Sequence, residues 1–458
     1  MKTIRIGNAA GFLGDQLSAP QFLAERGSLD YLTLEHLAEL TLSILAHQKS
    51  RDPNLGYAVD FISVLPTLAG ALQNQPQLKI VTNAGGVNPA ACAKEAAEVL
   101  GRAGLGDLLI GIVTGDDLFP SLDQLISGGE SFEHFESQAG FGEVRSKIVC
   151  ANAYLGAAGI VENLAAGARI VITGRVADAS LTLGPTIHEF GWRWDDWDRL
   201  AAATVAGHVI ECGAQATGGM FTPWTKELRL EDVGYPIAEI SDDGEVVITK
   251  PEKTGGLVDE RTVSEQLLYE IGDPAHYLTP DVDADFTGLS LNQIGTNRVA
   301  VSGARGNPPP STYKVSMAYR DGYMAANTLV ICGPDSERTA RYCAEIILRR
   351  VEQAGFKLER THVECLGCGD TLPGIWPRPS NSYETVLRIS AHDSRKEALE
   401  RFIREFAPLV TSGPAGVTGY TGPRGKPYPV LAYWPTRVSR DRVAQQTDVR
   451  TVSEWLSS

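Results

Sequence analysis

The sequence predicts an α/β protein: a parallel sheet flanked by helices, followed by a second α+β domain with mainly antiparallel strands. Three observations carry this. Through the first half, short apolar runs alternate with helix-length amphipathic segments, a rhythm that right-handed crossovers turn into parallel pairing. Each of those runs ends in glycine and polar residues. In the second half the rhythm changes to strand pairs separated by single helices, so domains are expected at 1–225 and 226–458.

Each element follows from local pattern. IRIG (4–7) is a short strand entering the loop NAAGFLGD. Residues 33–47 carry apolar side chains at helical spacing behind Thr33, which reads as an N-cap. LKIVTNAGG (78–86) is a strand closing in a glycine turn, and the helix after it stops at Gly104. LLIGIVTGDD (108–117) is a strand, residues 151–167 a helix, and ARIVITGRVAD (168–178) a strand with a polar end. Residues 180–190 and 197–212 read as helices, EVVITK (245–250) as a strand, and the polar stretch to about 285 as irregular. Farther on, 312–319 and 324–332 read as two paired strands, followed by a helix (336–354), strands at 358–365 and 383–391, and a helix (393–406). GARGNPPPST (303–312) and residues 411–425 are rich in glycine and proline and read as ordered loops; the second could cover a cleft.

Composition bounds the function. A chain of 458 residues with 43% hydrophobic and 21% charged residues is that of a folded protein with a sizeable core. Its net charge of −15 argues against a nucleic-acid backbone binder, though local donors can still hold a small anion. No apolar run is long enough to span a membrane and no secretory pattern opens the chain, so a cytoplasmic location is expected. Seven dispersed cysteines read as reduced thiols; Cys365 and Cys368 form a CxxC without the second half a structural zinc needs, and no metal site is expected.

Ligands of open parallel sheets bind beyond the carboxyl ends of the strands. Four clusters fall there: Gly7-Asn8 to Gly14-Asp15, Thr82 to Gly86, Thr114 to Asp117, and Thr173-Gly174-Arg175 with Asp178. Asn8, Gly11, Asn83, Gly85, Gly86 and Thr114 are substrate-binding candidates through their amides and polar side chains, and Arg175 as a clamp on a carboxylate or phosphate. Asp15, Asp116 and Asp178 are acid/base candidates, and Asp15, Asn83, Asp116 and Arg175 are expected to line one cleft. None of these loops has nucleotide-binding spacing. In GHVIECGAQATGGMF (207–221), His208 and Glu211 stand three apart on one helix face, the geometry of an acid/base pair or of two metal ligands. Asn152 and, around the TGG turn, Gln215, Gly218 and Gly219 complete the substrate-binding set. Cys212 reads as an inert buried thiol.

RIGNAAGFLGD, VTNAGGVNP, NAYLGAAGIVENLAAGARIVITGRVADASLTLGP and GHVIECGAQATGG resemble the family of the acyclic terpene utilization protein AtuA, from Ile4 to about Pro435. The resemblance implies a cytosolic catabolic enzyme in operons handling branched acids as CoA thioesters. Longer members of that family continue into a small ferredoxin-like domain, whereas this chain stops at Ser458, so a separate small subunit, docking on an apolar patch near the C-terminal strands, is an expected partner. A homo-oligomer is also expected. The primary expectation is a hydro-lyase or related lyase on a branched acyl-CoA or small hydroxy acid; no cofactor is assigned, and a CoA thioester is one form the substrate can take. A non-catalytic subunit of an acyl-CoA carboxylase-type complex and a metal-dependent hydrolase are the alternatives.

Overall fold

The structure is a computed structural model that describes residues 2–375, 382–419 and 425–457. It has two compact units, Met1–Ala318 with Tyr433–Ser458, and Tyr319–Ala432. The division expected at 225/226 therefore falls inside the first unit, whose strands continue past it and whose last strand comes from the end of the chain.

In the first unit, β1 (Thr3–Asn8), β2 (Tyr31–Leu34), β3 (Lys79–Thr82), β4 (Leu109–Thr114) and, after β5 (Ile148–Ala153), β6 (Ile170–Thr173) supply the parallel centre. These five strands lie in the order β1-β2-β3-β6-β4, all parallel. Antiparallel strands extend both sides. β7 (Ile237–Ser241) and β8 (Val246–Thr249) continue from β1. Beyond β9 (Tyr277–Leu278) and β10 (Asp283–Asp285) in sequence, β11 (Ser290–Gly295) and β12 (Arg298–Ser302) complete that edge. β13 (Arg305–Asn307) joins β10 and β9 in a small separate sheet.

Side-chain alternation sorts the helices onto two faces. Leu32, Leu34, Ile80, Ile110, Ile112, Ile170 and Ile172 form one core with α1 (Ala19–Arg26), α3 (Val59–Asn74) and α4 (Pro89–Arg102). The alternate residues face α6 (Ala158–Ala165), α7 (Ser180–Phe190) and α8 (Trp197–Glu211): an added Cβ on Gly111 would strike Asn163, and one on Gly159 would strike Val113. α2 (Glu39–Arg51), α5 (Leu122–Ser127) and α9 (Glu260–Leu268) lie between strands in sequence, α9 within the stretch expected to be irregular.

Two expected boundaries shift. Thr33 does not cap a helix: Tyr31–Leu34 is a wholly buried strand between β1 and β3, and the helix begins at Glu39. A short buried strand and a helix turn share the same unbroken apolar signature. Residues 151–153 likewise belong to β5, and the helix after them begins at Ala158.

The chain enters the second unit along β14 (Thr312–Cys332), one strand of 21 residues where two were expected. Asp321-Gly322 looks like a hairpin turn, yet Gly322, at φ +69°, is taken up within the strand, which runs on to pair antiparallel with β16 (Glu384–Asp393). β15 (Arg360–Leu366) adds to β16, and β17 (Val417–Gly419) to β14. α10 (Ser336–Gln353) and α11 (Lys396–Arg404) supply Ile347, Leu399 and Phe402 to a core with Leu329, Leu387 and Ile389. The 411–425 segment contains a short helix, α12 (Leu409–Ser412), overlapping its start, and then β17; its residues 420–424 lie outside the described residues. β18 (Tyr428–Ser439) leads back to the first unit, where β19 (Gln446–Thr451) pairs with β4 and α13 (Val452–Leu456) closes the core with Trp455. Among the described residues no helix is long and apolar enough to cross a membrane.

Candidate active site

Past the carboxyl ends of β2 and β6, the first unit encloses a cavity of about 460 Å³. Four of the expected residues border it together: Arg175, Asp178, His208 and Glu211. The last turn of α8 brings His208 and Glu211 onto one face, with His208 Nδ1 3.2 Å from Glu211 Oε1. His208 Nε2 lies 3.1 Å from the carbonyl oxygen of Gln266, which can only accept, so this nitrogen carries a proton. Nδ1 is thereby left to share a second proton with Glu211. Burial pushes the Glu211 carboxyl up to about 7 against the pull of His208, while Glu211 raises the His208 imidazole despite its burial. Glu211 Oε2 is buried without a hydrogen-bond partner. The pair is thus an oriented carboxyl group with one oxygen held and one unengaged.

The N-terminal loop holds this group in place. The Asn8 amide nitrogen donates to the carbonyls of Ala10, Ile210 and Glu211 at 3.0, 2.8 and 2.8 Å, satisfying acceptors that a helix end leaves open. Gly11 packs so closely that an added Cβ would lie 2.8 Å from the Cys212 carbonyl carbon. Asn8 and Gly11, expected to bind substrate, are instead supports of α8.

Arg175 is 2% exposed and already engaged. Its Nη1 lies 2.9 Å from Asp178 and 2.7 Å from the Leu37 carbonyl, with Glu35 at 3.9 Å and the Tyr154 ring centroid 4.1 Å from its guanidinium carbon. Burial opposes its charge, but Asp178, Tyr154, Glu35 and Glu39 outweigh it and raise the pKa further. Burial and Asp178 together drive Glu35 well above the carboxylate range, and Asn83 hydrogen-bonds Glu35 and accepts from the His36 amide. Asp116 accepts from Asn152 at 2.8 Å and from the Arg175 amide at 2.9 Å, and burial moves it to about 6. Its carboxylate fits because residue 174 is glycine: a Cβ there would lie 2.3 Å from Oδ1. Asn83, Asp116 and Asn152 therefore form the foundation under Arg175 and are not among the cavity's lining residues.

The remaining candidates also lie off the cavity wall. Asp15 accepts from Tyr235 Oη at 2.6 Å and from the Gly11 and Gln16 amides, and borders a separate small pocket beside His36. Gly85 and Gly86 pack against Thr173 and Leu45, Thr114 pairs with Gln446, and Gln215, Gly218 and Gly219 form the turn after α8. The expected single cleft with Asp15 and Arg175 on its wall therefore gives way to one built on the β6 and α8 ends.

Sequence reasoning missed the opposing chemistry. Lys314, on β14, sits 3.1 Å from Glu39 and 4.6 Å from the Tyr154 ring centroid, and Tyr154 donates its hydroxyl to Glu39 at 3.0 Å. The Tyr154 amide donates to the Lys314 carbonyl at 2.9 Å, which fixes the two together. Burial works against the Lys314 ammonium, but Tyr154, Tyr433 and Glu39 outweigh it and raise its pKa; Lys314 first among its partners brings Glu39 down to about 2 against burial. Glu270, Tyr277 and Arg437 also border the cavity. NAYLG was visible as a motif, but nothing in the spacing joined Tyr154 to residues 39, 314 or 437. Among the described residues no group of three or more His, Cys, Asp or Glu side chains is placed to hold a metal ion, and the cysteines are free thiols.

Comparison with curated proteins and with solved structures finds no match. The family model described as acyclic terpene utilisation family protein AtuA matches residues 4–449, which contain every residue of the cavity wall. The chain belongs to the AtuA family of acyclic terpene utilisation.

Proposed function

We propose that the protein is a catabolic lyase that removes or adds water at a small branched acid or its thioester. One observation carries this reading: an oriented carboxyl group, Glu211, poised near neutrality in a cavity that also presents Lys314. In the dehydrating direction Glu211 Oε2 takes the proton α to the substrate carbonyl. The C–H electron pair forms the double bond as the β-hydroxyl departs. Glu211 returns that proton to the hydroxide, so water leaves and the carboxylate is restored. Lys314 stabilises the negative charge developing on the carbonyl oxygen, and His208 holds Glu211 in line. Arg175, fixed by Asp178 and Leu37, supports the site's charge. The family's association with acyclic terpenes supports a branched carbon skeleton.

The test is turnover of branched hydroxy and enoic acids, and of their CoA thioesters, by the isolated full chain. Glu211→Gln is expected to lower kcat by about 10²–10⁴-fold with KM changed little, the usual range for loss of an acid/base. An unchanged kcat removes Glu211 from the chemistry, and absence of turnover with every compound favours a non-catalytic subunit.

A further inference from the structure

The cations around the cavity differ in how they are occupied. Arg175 is held by Asp178 and the Leu37 carbonyl, and Lys314 by Glu39. Arg440, beside the wall, donates to the carbonyl of Pro280 at 2.6 Å and stacks on Tyr313. Arg437 alone among these four has neither a carboxylate nor a carbonyl partner among the described residues, although it borders the cavity. Its guanidinium carbon lies 5.4 Å from the centroid of the Phe135 ring, which borders the cavity too.

The platform under Arg437 is rigid. Trp434 Nε1 donates to the Phe132 carbonyl at 2.9 Å, the Phe135 amide to the Pro435 carbonyl at 3.0 Å, and Thr436 Oγ1 to the Glu133 carbonyl at 2.7 Å. His134 meets Trp434 edge-on at 5.0 Å. These contacts latch residues 132–135 onto 434–436 and set Phe135 and Arg437 side by side. A guanidinium pre-oriented on an aromatic face, with its forked donors unengaged, is suited to bidentate recognition of paired anionic oxygens. The chain's net charge of −15 repels anions on average, so an anionic ligand needs such a local cation.

We propose that Arg437, seated on Phe135, is the specificity residue that recognises an anionic group of the cavity's ligand, a carboxylate or a phosphate. The proposal rests on reading this cavity as the substrate site and not on Glu211 chemistry. It is tested by calorimetric titration of the full chain with isovalerate, isovaleryl-CoA, CoA and the uncharged isovaleramide. Arg437→Ala is expected to weaken an anionic probe by about tenfold to hundredfold. Arg437→Lys should recover only part of that loss, since it keeps a point charge without the fork, and isovaleramide should be unaffected. A loss confined to isovalerate assigns the carboxylate; a loss shared by isovaleryl-CoA and CoA assigns the phosphates. Equal binding by wild type and Arg437→Ala, or no binding of any anionic probe by wild type, overturns the proposal. Because these readouts need no turnover, a Glu211→Gln enzyme that still turns over would sink the lyase reading while leaving this one standing. Normal anion binding by Arg437→Ala beside an inactive Glu211→Gln would do the reverse.

Discussion

Glu211 pairs a buried carboxyl with a histidine whose other nitrogen is tied to a backbone carbonyl, and this has a consequence for stability as well as chemistry. Its folded pKa of about 7 stands above the ordinary 4.5, so the folded state binds this proton more tightly than the unfolded chain does. The associated stabilisation is fully present below about pH 4.5 and is lost as pH rises through about 7. His208, also raised, loses its share in the same direction. A Glu211→Gln chain lacks the titrating carboxyl, so its Tm relative to wild type is expected to rise between pH 5 and pH 8. A Tm difference that stays flat over that interval would show that Glu211 does not titrate upward in the fold. At this scale the HxxE spacing was legible, because three residues on a helix bring two side chains together. The Gln266 carbonyl that settles the histidine's protonation was not, since it arrives from α9, distant in sequence.

Elements fix where that pair stands. The end of α8 is held by the carboxyl end of β1 and the loop that follows, through the buried side chain of Asn8, the last residue of the strand. Asn8→Ala removes the buried side-chain donor from the Ile210 and Glu211 carbonyls at the helix end, while the Ala10 carbonyl keeps the Glu35 amide. The expected cost is about 1–3 kcal/mol of stability, the usual penalty for stranding buried polar groups. The expected signature is a lowered Tm together with a fall in kcat larger than any rise in KM, because Glu211 loses its support. A melt indistinguishable from wild type would mean that the loop does not carry α8. The loop was legible as important from its glycines and asparagine, and its position at a strand's carboxyl end was read correctly. Its role was not, because the reading assigned those donors to a ligand when helix carbonyls were nearer. The elements misread share one physical cause. Tyr31–Leu34 and the two halves of β14 take their identity from neighbouring strands, whereas α4 announces itself by its own periodicity.

For the whole molecule, a contiguous reading placed the domain break at a local change of rhythm. The contacts place it where β14 leaves the first unit and where β18 returns, a discontinuity that has no local signature. Residues 446–456 then complete the first unit: β19 extends the sheet beside β4, and Trp455 Nε1 donates to the Ile110 carbonyl at 3.1 Å. Every residue on the cavity wall lies in that first unit. The second unit has the makings of an autonomous domain. It spans Tyr319–Ala432, contains the antiparallel strands β15, β16 and β17 with the part of β14 they extend, and buries Phe402 and Phe406, ring to ring at 5.2 Å, against Leu329, Ile347 and Leu387. A segment of that size with one continuous core meets the usual requirements for folding alone. The excised segment 319–432 is therefore expected to unfold in one cooperative transition, with an enthalpy of about 60–80 kcal/mol at its midpoint, the value typical of a hundred-residue domain. Calorimetry and circular dichroism on that fragment decide the matter. A broad, non-cooperative melt would show that its core is not sufficient by itself and that the two units form one folding cooperative.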